Sequence, residues 1–219
     1  LGQVWGTMAA LAHMRPRNRG TIVSVGSALA FRGIPLQAAY CGAKFGVRGF
    51  HESLRTELID EGSAIRLTEV HLPAVNTTQF GWCRSKLRFH PQPVPPIYEP
   101  EVAARAIVDA VVRTPRHRVL GTWNWLLVRL SQLMPGVGDH YLARTGVGSQ
   151  QTDIEIADDR PDDLFEPLDG ERDVGAHGIF GDQTGGVLRP QFLRTLPSTL
   201  GDLGLSIRDR IHQVREARG

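Results

Sequence analysis

An alternation of short β-branched runs with longer amphipathic segments constrains the fold of this chain more than any other feature. Thr21–Val25 and Ile65–Leu72 have the composition of buried strands, and Arg118–Gly121 is a third candidate strand. Between them, Gln37–Glu61 and Glu101–Val112 show helical periodicity, with Gly or Pro next to their ends. Strand, helix, strand, helix, strand at this spacing predicts parallel strands with right-handed crossovers, and so an α/β fold.

The flanking segments have simpler interpretations. Leu1 to about Arg15 is expected to be the end of a helix, and Ala28–Leu36 a loop. Trp123–Met134 is apolar almost all round, which favours a helix in the core or at an interface between copies of the chain. We therefore expect a homo-oligomer. A helix lying on a membrane surface is the alternative, because Trp suits that boundary.

Residues 73–99 are rich in proline and aromatic side chains and are expected to form a long loop. The segment follows the strand ending at Leu72, so we interpret it as a lid over a substrate site. An apolar lid favours a hydrophobic small molecule. A loop that only packs on the surface is an equal alternative, and a proline-motif ligand for a partner domain is a weaker one.

Composition excludes several classes of protein. The 219 residues can bury the core of one domain, and no apolar run reaches the 18 residues of a membrane-spanning helix. Two cysteines, Cys41 and Cys83, offer neither a disulfide framework nor a metal spacing, so a reducing compartment, the cytoplasm, is the default. The eight histidines are scattered, and we predict no metal site. The basic stretch Met14–Gly20 is interpreted as a solvated connection, and no nucleic acid is expected as a partner.

Charge divides the chain into two parts. Residues 1–150 carry 17 Lys and Arg against 9 Asp and Glu, a net +8, whereas residues 151–219 carry 8 against 14, a net −6. We predict a domain at residues 1–149 that includes the lid, and a tail at residues 150–219 that is acidic and then contains arginines. Residues 150–174 are expected to be disordered or extended, and Leu203–Arg218 to form a short charged helix.

Ser27, Tyr40 and Lys44 form the one constellation with chemical meaning. Lys44 is one of only two lysines against 23 arginines, and it follows Tyr40 by one helical turn, so both side chains share a face. A phenol is a poor acid at neutral pH until a nearby cation favours its phenolate. Lys44 would be that cation. Tyr40 would then exchange a proton with an oxygen of the substrate, and Ser27 would offer its hydroxyl to that oxygen as well. The alternative is a buried Tyr and a surface Lys without a shared role.

In these segments, Gly20–Ser27 and Ala39–Val47, the chain resembles the short-chain dehydrogenase/reductase family. The similarity runs from Leu1 to about Gly121. It implies that Ser27, Tyr40 and Lys44 are catalytic, and that Thr77 in the sequence Leu72–Thr77 contacts the nicotinamide end of NAD or NADP, although Leu72-Pro73 stands where the family has Pro-Gly. It also implies a Rossmann-like, doubly wound parallel sheet represented by its C-terminal half, with an extended, partly disordered C-terminal tail.

The family's glycine-rich phosphate-binding turn does not occur in the first 60 residues. We therefore expect the chain to be the C-terminal part of a longer enzyme, one that moves hydride between a nicotinamide cofactor and an alcohol or carbonyl. Tyr40 would be the general acid/base. Two alternatives stay open: an inactive remnant that serves as an interaction or structural protein, and a membrane-associated reductase acting on lipids.

Overall fold

A parallel three-stranded sheet forms the centre of the structure, a computed structural model that describes residues 1–157, 159–170 and 173–184. Its strands are β1 (Gly20–Ser27), β2 (Ile65–Leu72) and β6 (His117–Val119), and β2 lies in the middle. All eight residues of β1 pair with β2, whereas β6 pairs with only three residues of β2. The predicted α/β fold with parallel strands is confirmed.

Helices cover both faces of this sheet, as in a doubly wound fold. α1 (Gly2–Met14) and α2 (Ala38–Asp60) lie on one face, and α4 (Pro100–Arg113) lies on the other. The remaining elements are α3 (Gln79–Trp82), α5 (Thr122–Leu133), α6 (Pro135–Thr145), β3 (Ala74–Val75), β4 (Phe89–Pro91), β5 (Ile97–Tyr98) and β7 (Gln151–Glu155).

The alternation of side chains along β2 divides the core into two clusters. Ile65 and Leu67 face α1 and α2, where they pack with Leu11, Leu54 and Leu58. The opposite face holds a second cluster, formed by Val70, Ala106 and Ala110. Ile59 does not belong to the apolar face of α2, although its sequence neighbour Leu58 does: its side chain is 69% exposed, because it follows Leu58 by 100° around the helix and so turns away from the sheet.

The segment 73–99, expected to be a loop, contains four short elements. β3 pairs in parallel with β5, which closes the segment on itself, and α3 lies between them. β4 pairs antiparallel with β7, so residues 151–155 form an ordered strand within the part of the chain predicted to be disordered or extended. The pairing between β4 and β7 joins residues 60 or more positions apart, which local composition does not encode.

α5 is more exposed than its apolar sequence suggests. Only Asn124 and Val128 are buried along its length, and Trp125, Leu130 and Leu133 are largely exposed. α5 is therefore not a core helix. Its alternative role, at an interface between copies of the chain, stays a prediction. Among the described residues, no helix is both long and apolar enough to cross a bilayer. The helix predicted at Leu203–Arg218 lies outside the described residues.

Candidate active site

The N-terminal half of α2 presents Tyr40 and Lys44 on one face. Lys44 Nζ lies 5.6 Å from the centre of the Tyr40 ring, as their spacing of four residues requires. The Tyr40 side chain is 42% exposed, and its hydroxyl makes no hydrogen bond within the described part of the chain. A phenol that is accessible and unpaired is available to a small molecule.

Lys44 links α2 to the end of β1. Its Nζ donates a hydrogen bond to the carbonyl oxygen of Val25 at 3.2 Å, two residues before Ser27. This contact uses one of the three ammonium N–H groups and fixes where the charge lies. Partial burial lowers the pKa of Lys44 below its ordinary value, because desolvation disfavours the charged form.

Ser27 is the last residue of β1 and is buried. Its Oγ accepts a hydrogen bond from the backbone N–H of Leu29 at 3.1 Å, and so caps the single 3₁₀ turn at Ala28–Ala30. The hydrogen bond from Leu29 occupies one acceptor site of the Ser27 hydroxyl, and the hydroxyl proton stays free to be donated. β1 and α2 thus bring Tyr40, Lys44 and the strand end at Ser27 to the same edge of the sheet.

Thr77 follows β2 and β3 on the loop beyond the neighbouring strand. Its N–H donates to the carbonyl oxygen of Val75 at 2.9 Å. No hydrogen bond joins Thr77 to Ser27, Tyr40 or Lys44 in the described ranges. The carboxyl ends of parallel strands share one edge of a sheet, and register pairs Leu72 with Ser27, so Thr77 lies on that side of the molecule.

Asn76, which the sequence did not single out, holds this loop. It is 1% exposed: its N–H donates to the Tyr98 carbonyl at 2.8 Å, and its Oδ1 accepts from the N–H of Phe180 at 3.0 Å. A Cβ on Gly178 would stand 2.3 Å from the Thr77 carbonyl oxygen. Only glycine therefore allows the segment around residue 178 to pack this closely on the loop.

A second group of polar side chains lies under α2, on the same face of the sheet as Ile65 and Leu67. Glu69 and His71 alternate on β2 and are 1% and 0% exposed, and His117 on β6 is paired in register with Glu69. We call these three residues the Glu69–His71–His117 cluster. Arg55 of α2 approaches it, with Nη2 3.6 Å from Glu69 Oε1. The sequence did not predict this cluster, because His117 is distant in sequence from Glu69 and His71 and reaches them only through the pairing of β6 with β2.

Burial dominates the electrostatics of this cluster. It raises the pKa of Glu69 from its ordinary 4.5 to about 7, and Arg55 only partly opposes the shift. Burial also lowers the pKa of His71 from 6.5 to about 4, helped by the neighbouring His117. The pKa of His117 is likewise lowered to about 4, by burial and then by Arg55. Both imidazoles are therefore neutral at physiological pH.

Comparison with known proteins finds oxidoreductases among the similar chains. Residues 1–86 match the family model described as short chain dehydrogenase. An uncharacterized oxidoreductase, YxnA, of Bacillus subtilis is 29% identical over 80% of this chain and 50% of its own length. Retinol dehydrogenase 10 of Xenopus tropicalis is 39% identical over 51% of this chain and 34% of its own.

A solved short-chain dehydrogenase from Burkholderia cenocepacia, in complex with NADP, aligns over 65% of this chain and 55% of its own with 21% identity and a TM-score of 0.46. The chain is similar to short-chain dehydrogenases/reductases, and its N-terminal 86 residues carry the family match. It spans about half the length, or less, of the curated relatives that it matches.

Proposed function

We propose that this chain supplies the proton-transfer groups of an oxidoreductase, which moves hydride between a nicotinamide cofactor and an alcohol or carbonyl substrate. The observation that carries the proposal is the position of Lys44 Nζ, held by the Val25 carbonyl at 3.2 Å and 5.6 Å from the Tyr40 ring. This arrangement keeps a partly desolvated ammonium beside an accessible phenol at the end of β1. It is the pair that general acid/base catalysis at a substrate oxygen requires.

Each of the three side chains has a role in this proposal. Tyr40 gives its proton to the carbonyl oxygen during reduction, or takes it from the alcohol during oxidation. The ammonium of Lys44 stabilises the phenolate formed in the second case. Ser27 donates its free hydroxyl proton to the same oxygen, on which negative charge develops during the reaction.

The donor set fits a nicotinamide cofactor. Lys44 uses one N–H group on the protein in the described structure, which leaves two that would hold ribose hydroxyls. Thr77 would contact the nicotinamide end. When bound, the cofactor supplies or accepts hydride. These residues do not choose between NAD and NADP, because that choice is made by an acidic side chain or an arginine at the ribose 2′ position.

A hydrophobic substrate is favoured by the aromatic side chains around the segment 73–99. Phe80 packs edge-on against Phe180 with ring centres 6.0 Å apart, so this side of the loop is apolar. The matched retinol dehydrogenase is named for an alcohol of that class. We propose an apolar alcohol or ketone as the substrate, and a second copy of the chain as a partner.

A panel of apolar alcohols and ketones would test this function in the full-length protein, with nicotinamide absorbance as the readout. We expect turnover with NAD or NADP for at least one member of the panel. If the protein binds a nicotinamide cofactor but turns over none of the panel, a different substrate class is required. If it binds neither cofactor, the proposal is overturned.

The rival function, a non-catalytic interaction protein, draws on a specific observation. In the described structure β1 pairs only with β2, so its other edge carries unpaired backbone groups. Such an edge accepts a strand from another chain. The rival predicts that a stable complex forms without nucleotide and that substitution of Tyr40 has no effect on it. A protein that binds NADPH and loses turnover on that substitution excludes the rival.

A further inference from the structure

The Glu69–His71–His117 cluster has no role in the proposed proton transfer. It lies beneath α2, and its side chains point to the same side of the sheet as Ile65 and Leu67, next to the apolar cluster that these two residues form with α1 and α2. Buried ionisable groups are costly unless they are paired or hold a metal. This cluster therefore requires an account of its own.

The ligand atoms of the cluster are spaced as a small cation requires. His71 Nε2 lies 3.4 Å from His117 Nδ1 and 3.6 Å from Glu69 Oε2, and His117 Nδ1 lies 3.7 Å from Glu69 Oε1. One ligand atom from each of the three residues lies within 4.8 Å of the other two, so small adjustments of the side chains would let one ion contact all three. Zn²⁺ needs bonds of about 2.0–2.2 Å to imidazole nitrogen and carboxylate oxygen.

The present contacts of these atoms are long. Glu69 Oε1 is buried and has no hydrogen-bond partner in the described structure; Arg55 Nη2, at 3.6 Å, is its nearest cation. The contact between the two imidazoles, at 3.4 Å, is at the outer limit of a hydrogen bond. A bound ion would replace these weak contacts with three coordinate bonds.

We propose that the Glu69–His71–His117 cluster binds one divalent first-row transition ion, of which Zn²⁺ fits best. Two neutral imidazoles and a carboxylate are ligands that Zn²⁺ prefers. Glu69 and His71 come from β2 and His117 from β6, so the ion would tie the three-residue edge strand β6 to the centre of the sheet. The role that follows is structural.

Two positively charged side chains, Arg55 and Arg116, lie next to the proposed site and must be compatible with a bound Zn²⁺. Arg55 has two backbone acceptors, the carbonyls of Leu67 and Arg116, so it can keep its place without Glu69. Arg116 Nε donates to His117 Nε2 at 3.3 Å. Coordination through Nδ1 puts the imidazole proton on Nε2, and the exposed Arg116 side chain must then turn away.

The exposed group formed by Glu99, Glu101 and His177 provides a control. There the two nitrogens of one imidazole face different carboxylates, His177 Nδ1 to Glu99 at 3.2 Å and Nε2 to Glu101 at 2.8 Å. His177 already bridges the two carboxylates, and both His177 and Glu101 are exposed to solvent, whereas Glu69 and His71 are buried. This group is an ion-pair bridge, and it should contribute nothing to tight binding of Zn²⁺.

The test is calorimetric titration of the EDTA-treated, dialysed full-length protein with Zn²⁺, with the metal content measured after gel filtration. We expect one tightly held equivalent, a rise of several degrees in the thermal midpoint, and Co²⁺ binding with a visible absorption band. His117→Ala, at a partly exposed position, should weaken binding at least ~10-fold, whereas His177→Ala should leave it unchanged.

Glu69→Gln keeps the shape of the buried side chain, and it should also weaken the binding of Zn²⁺. Wild-type protein that retains no Zn²⁺ after gel filtration would overturn the proposal. Equal affinity in the wild type and in His117→Ala would overturn it as well. These readouts measure metal binding alone, so they are independent of whether the protein is an active oxidoreductase.

Discussion

Lys44 is the residue on which the proposed chemistry depends most. In the proposed function its Nζ has two tasks: its positive charge lies 5.6 Å from the centre of the Tyr40 ring, and the N–H groups that do not bond Val25 would bind a ribose. Lysine suits both tasks because its ammonium is a compact charge with rotatable donors, whereas the guanidinium of arginine is a rigid planar fork. This accounts for a lysine here in a chain that has 23 arginines and only one other lysine.

Substitution of Lys44 should impair cofactor binding. Lys44→Met keeps much of the stem but removes the charge, and hydrogen bonds to charged groups contribute about 1.5–3 kcal/mol each, so we expect affinity for NADPH or NADH to fall at least ~10-fold. Nicotinamide fluorescence would measure the change in the full-length protein. The control is Lys86→Met, at the only other lysine, which is exposed. Equal loss of affinity in both variants would contradict the role of Lys44.

The cluster under α2 predicts how stability depends on pH in metal-free protein. Burial lowers the pKa values of His71 and His117 to about 4. Between pH 6.5 and about 4, both histidines are therefore protonated in the unfolded chain and neutral in the folded one. Glu69 acts in the opposite direction, because its pKa is about 7 in the folded state and 4.5 in the unfolded state. Between these two pH values its carboxyl is protonated only in the folded state, so acidification stabilises the fold through this group. Two groups outweigh one, so the free energy of unfolding should fall as pH decreases from about 6.5 to about 4.5.

Chemical denaturation in EDTA across this pH range would measure the effect. His117→Gln removes one of the two histidine contributions, so it should flatten the pH dependence. A wild-type protein that becomes more stable on acidification, or an unchanged slope in His117→Gln, would show that these side chains are not buried as the structure has them.

At the scale of elements, the best-predicted parts are those determined by local periodicity. α2 and β2 occur within one residue of their predicted bounds, and β1 extends the predicted strand at both ends. The short strands β3, β4, β5 and β7 were not predicted, because each is stabilised by a partner distant in sequence. The Glu69–His71–His117 cluster was not predicted for the same reason: it forms only when β6 pairs with β2. α5 shows the converse: its sequence is apolar, but most of its apolar side chains stay exposed within the described structure.

Adjacent positions on α2 should differ sharply in their effect on stability. Leu58 is 2% exposed and packs with Leu11, Leu54 and Ile65, so Leu58→Ala should lower the free energy of unfolding by about 2–5 kcal/mol. Ile59→Ala, at the next residue and 69% exposed, should change it by no more than about 0.5 kcal/mol. Denaturant unfolding of the two variants would compare them, and similar losses would contradict the orientation of α2.

At the scale of the whole molecule, exposed apolar side chains on α5 favour self-association. Trp125 and Leu133 are 47% and 77% exposed, and neighbouring Leu130 is 40% exposed. We expect the wild-type protein to form a homo-oligomer in solution and Leu133→Asp to weaken it, as measured by light scattering after gel filtration. Ile154→Asp, at an exposed apolar residue of β7, is the control. A wild type that is monomeric at all concentrations would exclude this interface.

The most direct test of the central claim is the turnover of Tyr40→Phe in the full-length protein, compared with Tyr141→Phe. Both tyrosines are about half exposed, but Tyr141 lies on α6 and has neither a hydrogen bond nor a cation–π contact with Lys44 in the described structure. If Tyr40 transfers the proton, its loss should lower turnover at least ~100-fold, the usual contribution of a general acid/base, while Tyr141→Phe retains wild-type turnover. Turnover of Tyr40→Phe equal to that of the wild type would contradict the account.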